Sequence, residues 1–439
     1  MSNATDTRPS RRNPMTAIFT TVMVDMLGFG ILIPVYPLLI SPGSPFRVTP
    51  DDWSFTQGLI MLGWLQAVFP FFIFLAAPIL GQMSDRFGRR PVLAFSIFGT
   101  AVGYALFAIG ISTANIPLLF VSRALDGLTG GNLAVAQAVV GDVSTHENRA
   151  KNFGMLGAAF GVGFVVGPYI GGRLSGPGKS FYGLFETPSW FGATTPFWFA
   201  TILSLANCAL ILTMLPETLK QKVNEGRVKV GQAVSNVVAG FSSQRLRVVL
   251  GTTFFFNAGF TFFTTFFGVY LRNNFGFDEG KTGDYFAFVG IFIAISQAIV
   301  VGRVAKKLND YTVLKFSCFG TGAVMLYLFL MPTTTQFWPY AVIPVFTMFN
   351  GLTMANMSSL VSRSAEMGRQ GEAMGIYSSV QSLAQVPASA LVGYITADIT
   401  SGTPLMVAGL CIITGGLIFV TAFRPKFVSS TLGVSAPSH

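Results

Sequence analysis

Charge is what this chain has least of. Only 10% of its 439 residues are Asp, Glu, Lys or Arg, against roughly 25% in a soluble domain, while 51% are hydrophobic and 14% aromatic. A water-soluble fold of this length cannot cover its surface with so few charges. Cysteine is almost as scarce: Cys208, Cys318 and Cys411 all fall inside apolar runs, which excludes a disulfide framework and leaves no metal-ligand spacing. The two histidines, His146 and His439, lie outside every apolar run. With no paired nucleophile and base, no phosphate loop and no metal cluster, the sequence predicts no enzymatic activity, no cofactor and no metal. The net charge of +10 does not indicate nucleic acid, because the basic residues are spread over short loops without a basic face or interleaved aromatics.

What is present instead is a series of apolar runs of about 20 residues, the length that crosses a bilayer. Twelve can be placed, near 15–40, 57–80, 91–111, 115–141, 152–174, 194–215, 246–270, 282–303, 312–331, 338–362, 372–396 and 403–423. They predict an all-α integral membrane protein with twelve transmembrane helices. The first run is longer than a signal-peptide core and no small-residue cleavage site follows it, so it is expected to remain as helix 1. Of the Lys and Arg residues, 22 fall on one side of this layout and five on the other, Arg47, Arg173, Lys179, Arg272 and Lys281, with Arg123 inside a span. The positive-inside rule then places both termini in the cytoplasm.

The chain also repeats itself. Residues 81–100 align without a gap to 302–321 with eight identities, an offset of 221 (302 − 81), and Gly127-Leu-Thr-Gly-Gly-Asn132 aligns to Gly351-Leu-Thr-Met-Ala-Asn356 at an offset of 224 (351 − 127). Two parallel six-helix halves around a shared cavity are therefore expected. The division is a tail at 1–14, a first half at 15–215, a linker at 216–246, a second half at 247–423 and a tail at 424–439. In the linker, Val230, Val234, Val237, Val238 and Phe241 recur at helical spacing, as in a short helix fastened to the membrane surface by one apolar face.

Between the second and third runs stands a knot of charge, Gly81-Gln-Met-Ser-Asp85-Arg86-Phe-Gly88-Arg89-Arg90-Pro91. It resembles the loop between helices 2 and 3 of major facilitator superfamily transporters. The resemblance implies that Asp85 sits against the N-terminus of a helix from the other half, where the dipole favours an anion. It also implies that Arg89 pairs with an acid at the end of helix 4, where Asp142 stands. Gly81, Asp85, Arg86, Gly88, Arg89, Arg90 and Asp142 would then form a latch that opens when the carrier turns inward. In the second copy Asp85 is replaced by Lys306 and Gly88 by Asn309, so the latch is expected to be lopsided.

Asp25 lies inside the first span, where a carboxylate costs at least ~2.5 kcal/mol at a helix centre. Taking up a proton removes that cost and makes protonation a usable switch. Arg123 and Asp126 are three apart in helix 4 and share a face. Arg123-Ala-Leu-Asp126-Gly127 resembles the Arg-x-x-x-Gly motif of proton-coupled members, which implies a role in proton transfer for Arg123; Asp126 is either a second titrating group or its counter-ion. Helix 5 carries Gly163-Phe-Val-Val-Gly167-Pro168-Tyr-Ile-Gly171-Gly172. Its glycines four apart allow close helix packing, and Gly-Pro-x-x-Gly-Gly resembles the signature of the drug:proton antiporter branch.

Together with Leu215-Pro-Glu-Thr218, these segments most resemble the tetracycline-efflux type of drug:proton antiporter, from about 15 to 423. Those exporters resemble one another in a helix 8 histidine that this chain lacks, so the resemblance does not imply tetracycline as cargo. For the cavity wall, the polar residues placed in spans are candidates: Gln66, Asn132, Gln137, Asn257, Gln297, Asn350, Asn356, Gln381 and Gln385. So is Phe260, from a helix 7 stripe of Phe256, Phe260, Phe263, Phe267 and Tyr270 that serves equally as packing. The expected function is export of a lipophilic small molecule, cations included, in exchange for protons, by a monomer in a plasma (bacterial inner) membrane. A lipid or glycolipid flippase on the same fold is the alternative, and a sensor that binds without flux is a third.

Overall fold

The computed structural model describes residues 14–144, 149–180, 186–219, 231–243, 246–305, 308–364, 370–398 and 402–423. The C-terminal tail, all but one residue of the N-terminal tail, Val230 and Lys306 lie outside the described residues. The described residues form α1 (Pro14–Ile40), α2 (Phe55–Phe87), α3 (Arg89–Ser112), α4 (Ile116–Thr129), α5 (Asn132–Val143), α6 (Arg149–Leu174), α7 (Thr195–Met214) and α8 (Gln232–Ser242). They continue as α9 (Arg247–Phe275), α10 (Glu279–Ile295), a π-helical turn (Ser296–Val301), α11 (Gly302–Ala305), α12 (Asp310–Leu330), α13 (Phe337–Ser364), α14 (Gln370–Asp398) and α15 (Thr403–Ala422).

Twelve crossings result, with α4 and α5 as one and α10, the π turn and α11 as another. Eight of the helical segments are long and apolar enough to span a membrane on composition alone; the α4–α5 crossing, α6, α13 and α14 are more diluted by glycine and polar side chains. The fourth crossing is broken where the sequence suggested one run. Gly130 and Gly131 pass so close to α2 that a Cβ at 131 would lie 2.9 Å from the Ala77 Cα.

Helix ends follow their side chains. Ser54 and Gln57 form a capping box on α2, Asn115 caps α4 and Asp278 caps α10. Each supplies an acceptor to amides that have no partner within the helix. The repeat is visible at the starts of α3 and α12, Arg89 and Asp310, which are 221 residues apart (310 − 89). The two junctions are built differently. Gly88 turns the chain at φ +110°, a conformation suited to glycine, whereas Asn309 is an ordinary N-cap whose Oδ1 accepts from the Thr312 amide at 2.8 Å.

In the first half α3 packs on α4 and α7, and α12 packs on α13 and α15 in the second. The halves meet along two seams, α2 against α14 and α6 against α10, with α1 touching α9 between them. Large apolar side chains crowd the outer face: Ile202 on α7 is 67% exposed, Phe316 on α12 64% and Leu330 74%. An apolar surface of this kind belongs in lipid. The linker helix α8 packs on α14, α9 and α2, turning Val237 inward and leaving Val234, Val238 and Phe241 exposed.

Glycines set the close approaches along these seams. A Cβ on Gly63 of α2 would lie 2.7 Å from the Ser389 carbonyl oxygen of α14, and one on Gly393 of α14 2.5 Å from the Leu59 oxygen. Gly268 of α9 meets Ile33 and Pro37 of α1. Gly81, Gly141 and Gly375 toward the Gly88 end, like Gly43, Gly178 and Gly276 toward the other, have no described neighbour within 4 Å of such a Cβ.

Candidate functional site: a buried charge cluster beside an inter-half cavity

Arg123 and Asp126 pair at 2.8 Å with side chains only 4% and 6% exposed. Gly103 of α3 makes room for Asp126, since a Cβ there would lie 3.0 Å from the aspartate Cβ. The Arg123 guanidinium lies over the Phe69 ring at 4.2 Å. From α1, Asp25 faces the side chain of Asn132, the first residue of α5, and is within electrostatic reach of Asp126. Tyr104 fills the space that a side chain at Gly28 would take. Four helices therefore bring two acids, one arginine, a tyrosine and an asparagine to one level of the bundle.

This cluster borders a cavity between the halves. Phe29 and Tyr36 of α1, Gln66 and Phe69 of α2, and Arg123 of α4 line it on one side; Thr261, Thr264 and Thr265 of α9, with Gln385 and Ser389 of α14, line the other. Its volume is about 40 Å³, room for a few waters at roughly 10–15 Å³ each and too little for a drug-sized molecule until the walls separate. The Gln66 amide spans it, donating to the Thr265 carbonyl at 3.2 Å.

Of the candidates proposed for the wall, Gln66 and Gln385 line this cavity and the others do not. Asn257 and Asn356 donate to carbonyls four residues back, Thr253 at 2.8 Å and Leu352 at 2.7 Å. Phe260 packs among Phe256, Phe263 and Phe346 with ring centroids 6.1–6.5 Å apart, so the aromatic stripe is packing, and α9 turns its threonines to the cavity. Asn132 serves Asp25, Asn350 is buried with Oδ1 unpartnered, Gln297 is exposed within the π turn, and Gln137 and Gln381 are half-buried away from this cavity. The threonines escaped notice because a threonine hydroxyl can bond its own helix backbone and so carries no polar signature in a span.

At the Gly88 end, Arg89 is 3.0 Å from Asp142 through Nε and 2.6 Å from Asp85 through Nη1, and Nη1 also donates to Ser84 Oγ at 2.6 Å. Asp85 thus lies with Arg89, one turn along, and among the described residues no contact of its carboxylate with a helix of the other half is seen. The anion at a helix N-terminus is Glu217. Its carboxylate accepts from the Arg89 and Arg90 amides at 2.9 and 3.3 Å, and any Cβ at Gly88 would collide with it. Arg90 donates to the Leu212 carbonyl, and Arg86 lies over Phe87. Gly81 has no neighbour that a side chain would meet.

The helix 5 glycines divide between two partners. Gly163, Gly167 and Gly171 lie on α1, where a Cβ would fall 2.5–2.6 Å from the carbonyl oxygens of Met23, Leu27 and Ile31. Gly172 instead lies on α10 of the other half, against the Glu279 carbonyl, and a Cβ at Gly283 would lie 2.6 Å from the Pro168 oxygen. The same seam carries charges that the sequence presented only as topology markers. Arg173 Nη2 is 2.7 Å from both Asp284 oxygens. Lys179 reaches Asp278 at 2.7 Å and Glu279 at 3.8 Å, and Glu279 also accepts from Arg272 at 2.7 Å. Burial pushes the Asp278 carboxyl up, but the Lys179 ammonium and the Lys281 amide outweigh it and hold the group below the usual carboxylate range.

Comparison with known proteins agrees with the geometry. The family model of the Major Facilitator Superfamily matches residues 18–389. Tetracycline resistance protein, class H, of Pasteurella multocida is 26% identical over 381 residues, 86% of this chain and 88% of that protein. The class C protein of Escherichia coli is 27% identical over 374 residues, 85% and 87% of the two chains. The crystal structure of the human organic anion transporter MFSD10 superposes with a TM-score of 0.69 at 20% identity, covering 94% of this chain and all of that one. Twelve crossings in two parallel halves, a cavity at their junction and a family match along most of the sequence lead to one conclusion: this chain is an integral membrane transporter, not an enzyme, and belongs to the Major Facilitator Superfamily.

Proposed function

We propose that the protein exports lipophilic small molecules in exchange for protons by alternating access. The observation that carries this reading is the group of Asp25, Arg123, Asp126 and Asn132 beside the cavity between the halves. Intramembrane acids are expensive and mark proton or ion paths, and here they stand where proton occupancy can be sensed by the substrate wall. Asp25 takes the proton, Arg123 and Asp126 transmit its presence, and Asp85, Arg89 and Asp142 control closure at the Gly88 end. The relatives named as tetracycline resistance proteins support drug-like cargo.

The basic loops place the Gly88 end and both termini in the cytoplasm, in a plasma membrane of the bacterial inner type. In this orientation Arg173, Lys179 and their acids tie the halves together on the outer side. The protein works as a monomer, the first six crossings and the last six joined by residues 216–246. The test is transport in proteoliposomes. An imposed proton gradient should drive uptake of lipophilic dyes, and gradient-independent, headgroup-specific lipid translocation would replace this reading with a flippase.

A further inference from the structure

The cavity wall has an unusual balance of donors and acceptors. Among the described residues that line it, Arg123 is the one with a formal charge, because Asp25 and Asp126 stand behind the wall. Arg123 is 3% exposed, its Nη1 is held by Asp126 at 2.8 Å, and its Nε is buried without a hydrogen-bond partner. An unmet donor on a buried cation is costly, and the wall does nothing to relieve it. The Thr261 and Thr264 hydroxyls donate to the carbonyls of Asn257 and Phe260 at 2.7 and 3.2 Å, and the Gln66 amide donates to Thr265. A cationic cargo would find no carboxylate here.

We propose that Arg123 Nε is the anchor for the cargo, and that the cargo carries an oxyanion, a carboxylate, enolate or phenolate, on a flat aromatic body. Asp126 fixes the guanidinium through Nη1 and leaves Nε to the ligand, and an oxygen acceptor on Nε is the charge-assisted bond the site lacks. Phe69 already stacks on the guanidinium at 4.2 Å, and Phe29 on the same wall offers a second apolar face for the ring system. Because the cavity lies between the halves, their separation enlarges it at the wall that Arg123 lines. The inference rests on the reading of this cavity as the substrate path, but not on the direction of proton movement.

The test uses two dyes that share a xanthene ring and differ in charge, fluorescein and tetramethylrhodamine methyl ester, titrated against the purified full-length protein by fluorescence anisotropy near neutral pH. The wild type should bind fluorescein more tightly by about tenfold or more. Arg123→Gln should erase that preference, and Arg123→Lys, which keeps the charge but not Nε, should recover only part of it. Equal or tighter binding of the cationic dye by the wild type, or binding of neither dye, overturns the proposal whatever the variants do. So does a folded Arg123→Gln protein, judged by its thermal unfolding midpoint, that keeps the fluorescein preference. Fluorescein binding without proton-linked flux would sink the exporter reading alone, and proton-linked flux of the cationic dye without fluorescein binding would sink this inference alone.

Discussion

Breaking the Arg173–Asp284 pair should shift the protein away from the conformation described here. Arg173 Nη2 meets both carboxylate oxygens at 2.7 Å across the α6–α10 seam, with the side chains 19% and 40% exposed. Charge-assisted hydrogen bonds contribute about 1.5–3 kcal/mol when well buried, and exposure to solvent discounts this toward about 1 kcal/mol. A loss of about 1 kcal/mol changes a conformer ratio roughly fivefold. Asp284→Asn and Arg173→Gln remove the charge while keeping most of the side chain, which matters for Arg173 because it also lies over Tyr169. Spin labels on Asp52→Cys and Thr334→Cys, exposed loop positions on opposite halves, with the native cysteines replaced, would report separation at this end by pulsed distance measurement. Each single variant should raise the separated population about fivefold, and the double variant should add little more, as coupled residues do. Unchanged distance distributions in both singles, or fully additive effects, would refute the reasoning.

Three further outcomes follow from the same seam and the opposite junction. Gly172→Val should abolish transport while the protein still inserts and folds, because a side chain there collides with the Glu279 carbonyl and bars closure; dye flux and gel-filtration profile report the two. Gly88→Ala should lower the thermal unfolding midpoint, since φ +110° costs a non-glycine residue about 1–3 kcal/mol and the new Cβ also strikes Glu217. The depressed Asp278 carboxyl stabilises the fold fully above its unfolded value of about 3.9, and that contribution is lost as pH falls through its lower folded value. Asp278→Asn should therefore flatten the acid limb of a melting-temperature profile measured below about pH 5.

Much of the architecture was legible because a bilayer leaves few options: about 20 apolar residues per crossing fixed the helix count, and the offset of 221 residues between the charged turns recurs at the starts of α3 and α12. The Arg89–Asp142 contact and the close Arg123–Asp126 pair followed from spacing and motif. What the sequence hid was orientation around each helix. Phe260 and Thr264 are one turn apart on α9, yet only the threonine lines the cavity, because the neighbouring Phe346 captures the ring. Ion pairs between distant segments were hidden too: Arg173 and Asp284 lie 111 positions apart, and nothing local distinguishes them from loop charges.

The central claim is that cargo movement is tied to a proton through Asp25. It is tested most directly by substrate-driven proton movement in proteoliposomes bearing a trapped pH dye, comparing the wild type with Asp25→Asn. The account predicts a proton flux opposite to the substrate in the wild type and none in the variant, with substrate binding retained. Undiminished substrate-driven proton movement in Asp25→Asn would contradict it.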